Sequence, residues 1–278
     1  MSKFILNMIG GGFIGTSCRL FENDKVTVRV FDLDPKKCSE GVTSLQDLKG
    51  GDLTFIAVPT PMVEETGVCY TKFVENAISQ VRETLGNDTP IVIRSTVPID
   101  FCLKHNVMYV PEFLREKHWR EDFLSCKNWY IGIDNPTKEL IDKFETLFNN
   151  TFPDTTREYL TTNECIAIKH FRNTFLAVKV SFCNEIRTFC EASNISYDTV
   201  RKFAAEDKRI GESHTFTPGP DGHKGFGQHC LVKDLNSLIQ QAKNLNVNTP
   251  ILNAVNERNN KIDRPEQDWR SEKGRIVI

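Results

Sequence analysis

The chain reads as an α/β protein: a doubly wound parallel sheet at the N-terminus, followed by an all-helical domain that a long helix joins to it. Three observations predict this. Short apolar, β-branched runs alternate with polar helical stretches through the first half. A glycine-rich turn follows the first of these runs directly. After about residue 160 the alternation gives way to a helical pattern, roughly 30 residues long, that ends near Ala192 and contains neither proline nor glycine.

Taken in order, Phe4–Ile9 is the first strand, and Val26–Phe31 is β-branched and strand-like. Leu53–Val58, Ile91–Ile93 and Tyr130–Ile133 continue the series, with a helix over Tyr70–Leu85 between two of them. Thr161 and Thr162 followed by Glu164 can cap the long helix. A second helix is expected near Tyr197–Ala205. A loop rich in proline and glycine runs from Gly211 to Gly227, a third helix from Lys233 to Leu245, and a polar, partly loose tail over Arg264–Gly274. The domains expected are 1–160 for nucleotide binding and 161–262 for the helical part, with 263–278 as the tail. No internal repeat or low-complexity tract interrupts the pattern.

Composition narrows the class. The 278 residues suffice for one large domain or two medium ones. A net charge of −2, from 35 Lys and Arg against 37 Asp and Glu, favours neither nucleic acid nor an anionic membrane surface. No apolar run approaches the roughly 20 residues of a membrane helix, and the N-terminus lacks the pattern of a signal peptide. Nine cysteines without CxxC pairs or metal spacing read as reduced cytoplasmic thiols, with no metal site.

The turn after the first strand is Gly10-Gly11-Gly12-Phe13-Ile14-Gly15, a GxGxxG at Gly10, Gly12 and Gly15. That spacing lets backbone approach a pyrophosphate at a helix N-terminus. The second strand ends at Asp32, about 20 residues on, where an acid holds both ribose hydroxyls. An acid there disfavours a 2′-phosphate, so the Rossmann-type site is expected to take NAD rather than NADP. Val58-Pro59-Thr60-Pro61 and Arg94-Ser95-Thr96-Val97-Pro98 follow later strands. Ligands of open parallel sheets bind beyond the strands' carboxyl ends, so both turns should border the cofactor.

One cysteine has neighbours suited to chemistry. Cys230 lies in Gly225-Phe226-Gly227-Gln228-His229-Cys230-Leu231-Val232-Lys233-Asp234. The glycines allow a tight turn, and a lysine and an aspartate follow within about one helical turn. A cation or helix N-terminus favours the thiolate, which is the nucleophile. Elsewhere, Glu112 and Glu116 are spaced to share a helix face, as are Lys169 and Asn173 on the long helix. The latter pair can orient a polar substrate or stabilise an oxyanion. Arg209 can grip a carboxylate or phosphate bidentately. His214 and His223 read as loop residues.

Together these segments resemble the nucleotide-sugar dehydrogenases of the UDP-glucose 6-dehydrogenase and GDP-mannose dehydrogenase kind. The resemblance runs through nearly the whole chain and keeps the family's order. Its specific parts are Pro111-Glu112-Phe113-Leu114-Arg115-Glu116 and the Cys230…Lys233-Asp234 loop, beside the Gly10–Gly15 turn, Val58–Pro61, Ser95–Pro98, Lys169…Asn173, Phe182–Ile186 and Arg209-Ile210-Gly211. Such enzymes oxidise a primary alcohol on a nucleotide-linked sugar to a carboxylate with two NAD and one water. The resemblance implies that Asp234, Lys169 and Thr96 position a water in the first oxidation, and that Lys169 and Asn173 stabilise oxyanions. It further implies that Cys230 forms a thiohemiacetal and then a thioester, whose hydrolysis Glu116 assists. NAD would be held by Gly10, Gly12, Phe13, Ile14, Gly15, Asp32, Lys37, Val58, Pro59, Thr60, Ser95, Thr96 and Lys233. The nucleotide sugar would be held by Glu112 to Glu116, Lys169, Asn173, Gly227 and an Arg209 contributed across a homodimer built on the long helix.

Two departures stand out. Gln228 occupies a position where the family usually has glycine, which bears on sugar specificity and rate. The chain stops near Ile278, about where the family's third, nucleotide-binding domain begins. UDP-glucose is the expected substrate because the Ser213–Gly222 loop resembles short relatives of that specificity. The alternatives are a two-electron β-hydroxyacid-type dehydrogenase, which shares the domain order, and a catalytically degenerate NAD-binding protein.

Overall fold

The computed structural model describes residues 3–227 and 229–278. They fall into two compact units, residues 3–60 with 71–169, and residues 61–70 with the described residues from 170 to 278.

The first unit is built on a seven-stranded sheet in the order β2-β1-β3-β4-β5-β6-β7. The strands are β1 (Phe4–Ile9), β2 (Val26–Phe31), β3 (Leu53–Ile56), β4 (Ile91–Ile93), β5 (Met108–Tyr109), β6 (Asn128–Gly132) and β7 (Thr156–Leu160). All neighbours pair in parallel except β5 and β6, which meet antiparallel at Tyr109 and Gly132. Position in the sheet explains the sequence patterns. The edge strand β2 buries Val26, Val28 and Val30 and half-exposes the residues between them, whereas the interior β3 is buried throughout. At the other edge, β7 alternates exposed and half-buried residues, so it lacks the apolar run that marks a strand in sequence.

Helices cover both faces. On one lie α1 (Phe13–Cys18), α4 (Trp119–Leu124) and α5 (Lys138–Thr151), around an aromatic core of Phe21, Phe55, Phe123, Trp129 and Phe148. Phe21 meets Phe123 edge-on at 5.2 Å and Phe148 at 5.7 Å, a favoured arrangement of ring quadrupoles. On the other face lie α2 (Lys72–Leu85), α3 (Phe101–His105) and the start of α6 (Thr162–Ala192). The apolar stripe of α2, Val74, Ala77, Ile78 and Val81, is the i, i+3, i+4, i+7 set of an amphipathic helix. This helix begins two residues later than its sequence suggests, because Tyr70 donates its amide to the Pro61 carbonyl at 2.8 Å and belongs to the second unit.

The cap expected for the long helix is present. The Glu164 carboxylate accepts from the Thr161 amide (2.8 Å) and hydroxyl (2.7 Å), while the Thr161 hydroxyl accepts from the Glu164 amide (3.2 Å).

The second unit holds the rest of α6, α7 (Tyr197–Ala204), α8 (His229–Asn244) and α9 (Pro250–Arg258). Its core includes Ala177, Phe226, Val232, Leu235, Val255 and Trp269. Two expectations are corrected here. The helix foreseen from Lys233 starts at His229, so Cys230 lies within its first turn. The tail over Arg264–Gly274 is not loose: Arg264 and Trp269 are buried, and beyond it Ile276 and Val277 are buried too. Met62 bridges Val277, its amide donating to the Ile276 carbonyl at 2.7 Å, and Arg270 and Lys273 both pair with Glu64. Polar composition hid this because the ties reach back some two hundred residues.

Candidate active site

In the first unit the glycine turn closes between β1 and α1. Gly10 has φ +98°, and a Cβ there would lie 2.6 Å from the Ala57 carbonyl oxygen. A Cβ on Gly15 would lie 1.8 Å from the Gly10 carbonyl oxygen, so only glycine lets helix and turn approach this closely. Gly12 is different. A Cβ there would meet no protein atom within 4 Å, so packing does not demand glycine. Such a position suits a ligand that approaches the backbone itself. Phe13 and Ile14 follow in the first turn of α1 and are half-buried.

Asp32 follows directly after β2, beside the turn. Its carboxylate accepts from the Gly11 amide (2.6 Å) and the Asp34 amide (2.8 Å), which fixes its rotamer. The base of the Lys37 side chain lies over Gly11, while its ammonium reaches Asp34 at 3.9 Å. The two later turns are joined: the Ser95 hydroxyl donates to the Val58 carbonyl at 2.7 Å. Thr60 is buried, Thr96 half-buried and Pro59 exposed. Glycines, acid and joined turns lie at the carboxyl ends of β1 to β4, so the residues present fit a dinucleotide.

The segment after β5 departs from expectation. Glu112 and Glu116 do not share a helix face. Glu112 is buried in irregular chain, while Glu116 is exposed in a single 3-10 turn, Glu116–His118. The physical reason is Lys169. Its ammonium pairs with the Glu112 carboxylate and donates to the Glu112 main-chain carbonyl at 3.1 Å, with side-chain exposures of 1% and 4%. Burial alone would raise the Glu112 carboxyl. Lys169, the Leu114 amide at 3.0 Å and Arg94 outweigh it and hold the group below its ordinary range. Phe113 packs edge-on to Tyr130, Leu114 lies against the aromatic core, and Arg115 grips Asp122 at 2.6 Å.

In the second unit Asn173, four residues beyond Lys169 on α6, donates from its amide to Oδ2 of Asp234. Asp234 is fully buried on α8, and its Oδ1 has no protein partner among the described residues. A buried carboxylate oxygen left so costs about 1–3 kcal/mol unless something donates to it. Cys230 lies four residues before Asp234, on the same face of α8, and is half-buried. Lys233 lies between them.

Four of the other thiols are poor competitors. Burial pushes Cys69 up to about 12, with Lys233 opposing and Asp234 adding to the shift. Burial likewise raises Cys18, Cys102 and Cys165. All nine cysteines are free, and no group of three ligating side chains could hold a metal among the described residues.

Gln228 lies outside the described residues. Gly227, just before it, rests on the Arg264 guanidinium, and Phe226 is held by Asn259; the sequence singled out neither partner. Both lie more than thirty residues away, and no local pattern marks them. Arg209 is 89% exposed and, among the described residues, pairs only with Asp207, at 2.6 Å. Among the described residues no helix is long and apolar enough to cross a membrane.

Comparison with known proteins places the chain in a family. Residues 41–152 match the UDP-glucose/GDP-mannose dehydrogenase family, NAD binding domain, and residues 163–261 match the central domain of the same family. The turn at 10–15 lies ahead of the first stretch, so its assignment rests on the packing above. The UDP-glucose 6-dehydrogenase of Rickettsia felis is 33% identical over 225 residues, which cover 77% of this chain and 48% of that protein. The chain thus spans about half the length of that relative. A UDP-glucose dehydrogenase from the archaeon Pyrobaculum islandicum superposes with a TM-score of 0.81 at 23% identity, over 93% of this chain and 68% of that one. A 3-hydroxyisobutyrate dehydrogenase from Mycobacterium tuberculosis gives 0.70 at 15% identity, over 93% of each chain. At these identities the superpositions establish a shared fold.

Proposed function

The chain belongs to the UDP-glucose/GDP-mannose dehydrogenase family, with NAD as its cofactor, and from that premise we propose that it oxidises the C6 alcohol of a nucleotide sugar to a carboxylate through Cys230. The substrate proposed is UDP-glucose, by analogy with the Rickettsia felis relative. The observation that carries the reading is the pairing of a half-buried thiol and a fully buried carboxylate one turn apart on α8, the carboxylate held by Asn173.

When bound, NAD accepts the hydride of each two-electron oxidation, one equivalent per step. In the first step the alcohol proton passes through a water held by Asp234 Oδ1 onto that carboxylate, with Lys169 and Thr96 orienting the water. Cys230 Sγ then attacks the C6 aldehyde, and the tetrahedral oxyanion is met by the Lys169 ammonium and the Asn173 amide. Loss of a second hydride leaves a thioester. Water, with Glu116 as base, hydrolyses it to the carboxylate and restores the Cys230 thiol. Glu112 acts through Lys169, holding the ammonium in place.

A homodimer completes the proposal. Phe171, Phe175, Phe182 and Phe189 on α6 are 58–72% exposed, and the last three recur every seven residues along one stripe. A stripe of that kind is what a partner's α6 would cover, and Arg209 would reach substrate across that contact. Nine free thiols fit a reducing cytoplasm.

A two-electron hydroxyacid dehydrogenase, whose fold the chain shares over 93% of both chains, is the second reading. Such an enzyme has no use for Cys230. A panel of nucleotide sugars with NAD, scored as NADH formed per sugar consumed, separates the two. Two NADH per sugar are expected, with acid formation in Cys230→Ala reduced by at least about 1,000-fold. One NADH per substrate, or full acid production by the variant, defeats the proposal.

A further inference from the structure

Three consecutive residues just ahead of α8 are held in three different ways. Gly225 has φ +64°, and a Cβ there would lie 2.4 Å from Asn259 Oδ1. Phe226 is clamped through its backbone: its amide donates to Asn259 Oδ1 at 2.8 Å, and its carbonyl accepts from Asn259 Nδ2 at 2.9 Å. Gly227 lies on the Arg264 guanidinium, so that a Cβ would stand 2.3 Å from Cζ and 2.4 Å from Nε.

The guanidinium is itself fixed. Its edges are occupied by Asp268, at 2.7 and 2.6 Å, and by Asp221 at 2.6 Å, and its side chain is only 4% exposed. What it offers the loop is therefore a flat face. Two carboxylates surround one cation, so the group brings no net positive charge towards the thiol. A buried ion pair of this type is weak evidence for stability, since desolvation offsets much of its attraction. Its distinctive effect is geometric: it sets how closely the backbone can approach at Gly227, three residues before Cys230.

We propose that Arg264, with Asn259, is a positioning residue for Cys230, acting through the Gly225–Gly227 backbone to aim the thiol. The proposal rests on the nucleophilic role given to Cys230 above, but its test does not need the sugar. The pH profile of iodoacetamide alkylation at Cys230, quantified by peptide mapping, reads the placement of the thiol directly. Arg264→Lys keeps a cation without the planar face, and Arg264→Ala removes both. With folding checked by circular dichroism, both are expected to change the plateau rate about tenfold or more without moving the midpoint. In turnover, both should release free aldehyde at the expense of acid. Gly227→Ala should perturb the plateau in the native chain, and by much less on top of Arg264→Ala, because the clash it makes is with the guanidinium.

An unchanged plateau in folded Arg264 variants overturns the proposal. So does equal damage by Gly227→Ala in both backgrounds, or a shifted midpoint with an unchanged plateau, which would make the effect electrostatic. Should neither Arg264 variant fold, an unaltered plateau in Gly227→Ala overturns it, and a perturbed one supports it. Failure of the oxidation itself would show separately, as wild type that consumes no nucleotide sugar or Cys230→Ala that still makes acid.

Discussion

Replacing Glu112 by glutamine removes the carboxylate charge that faces the buried Lys169 ammonium. The two side chains are 4% and 1% exposed, so solvent screens the pair little. Removing one partner of such a pair costs about 3–5 kcal/mol, against about 0–1 kcal/mol for an exposed pair. The Glu112 main-chain carbonyl still accepts from Lys169 at 3.1 Å in the variant. That residual contact places the expected loss at the low end, about 3 kcal/mol.

Urea unfolding at neutral pH, followed by circular dichroism, measures the loss. The double variant Glu112→Leu with Lys169→Met removes both charges and should be more stable than either single change, since no charge is left uncompensated. Acid supplies an independent check. The folded-state carboxyl lies below its ordinary value of 4.5. Its stabilisation is therefore complete above about pH 4.5 and is lost as pH falls through the folded value. The gap between wild type and Glu112→Gln should narrow over that window and stay constant above it. A single variant within about 1 kcal/mol of wild type at neutral pH, or a double variant that merely sums its parts, would refute the reasoning.

Gly15→Ala puts a methyl 1.8 Å from the Gly10 carbonyl oxygen, where only backbone can yield. NAD affinity by calorimetry should fall at least about tenfold. Asp32→Asn keeps the shape of the side chain but removes the charge beside the Gly11 amide. It should weaken NAD by about tenfold and narrow the preference over NADP in the same titrations. Phe175→Glu with Phe182→Glu places charge on the exposed stripe of α6. Light scattering should show a dimer become a monomer, and a wild-type monomer would remove the dimer from the account.

The parts legible in the sequence are those whose physics is local. β1 and β3 announce themselves because both faces of an interior strand are buried, which demands mostly apolar runs, broken here only by Asn7 and Thr54, whose side chains bond each other. The start of α6 is legible because a capping box closes within four residues, Thr161 to Glu164. The glycine turn is legible because each constraint comes from backbone a few residues away or from the next strand. Where the deciding contact is distant, reading fails in a consistent way. β7 is a strand because Arg157 and Tyr159 reach Glu145 at 2.9 and 2.8 Å and because β6 pairs with it, not because Thr-Arg-Glu-Tyr-Leu prefers to be one. The spacing of Glu112 and Glu116 suggests a helix, yet a lysine 57 residues on pulls the first inward and leaves the second in water. Cys230, Lys233 and Asp234 stand out as a group in the sequence, since one helix brings neighbours in sequence together. What aims the thiol was not, because an arginine earns that place only by lying flat beneath a glycine 37 positions before it. Reactive groups can be spelled out in one turn of chain, but the stiffness that makes them selective comes from residues whose only signature is three-dimensional.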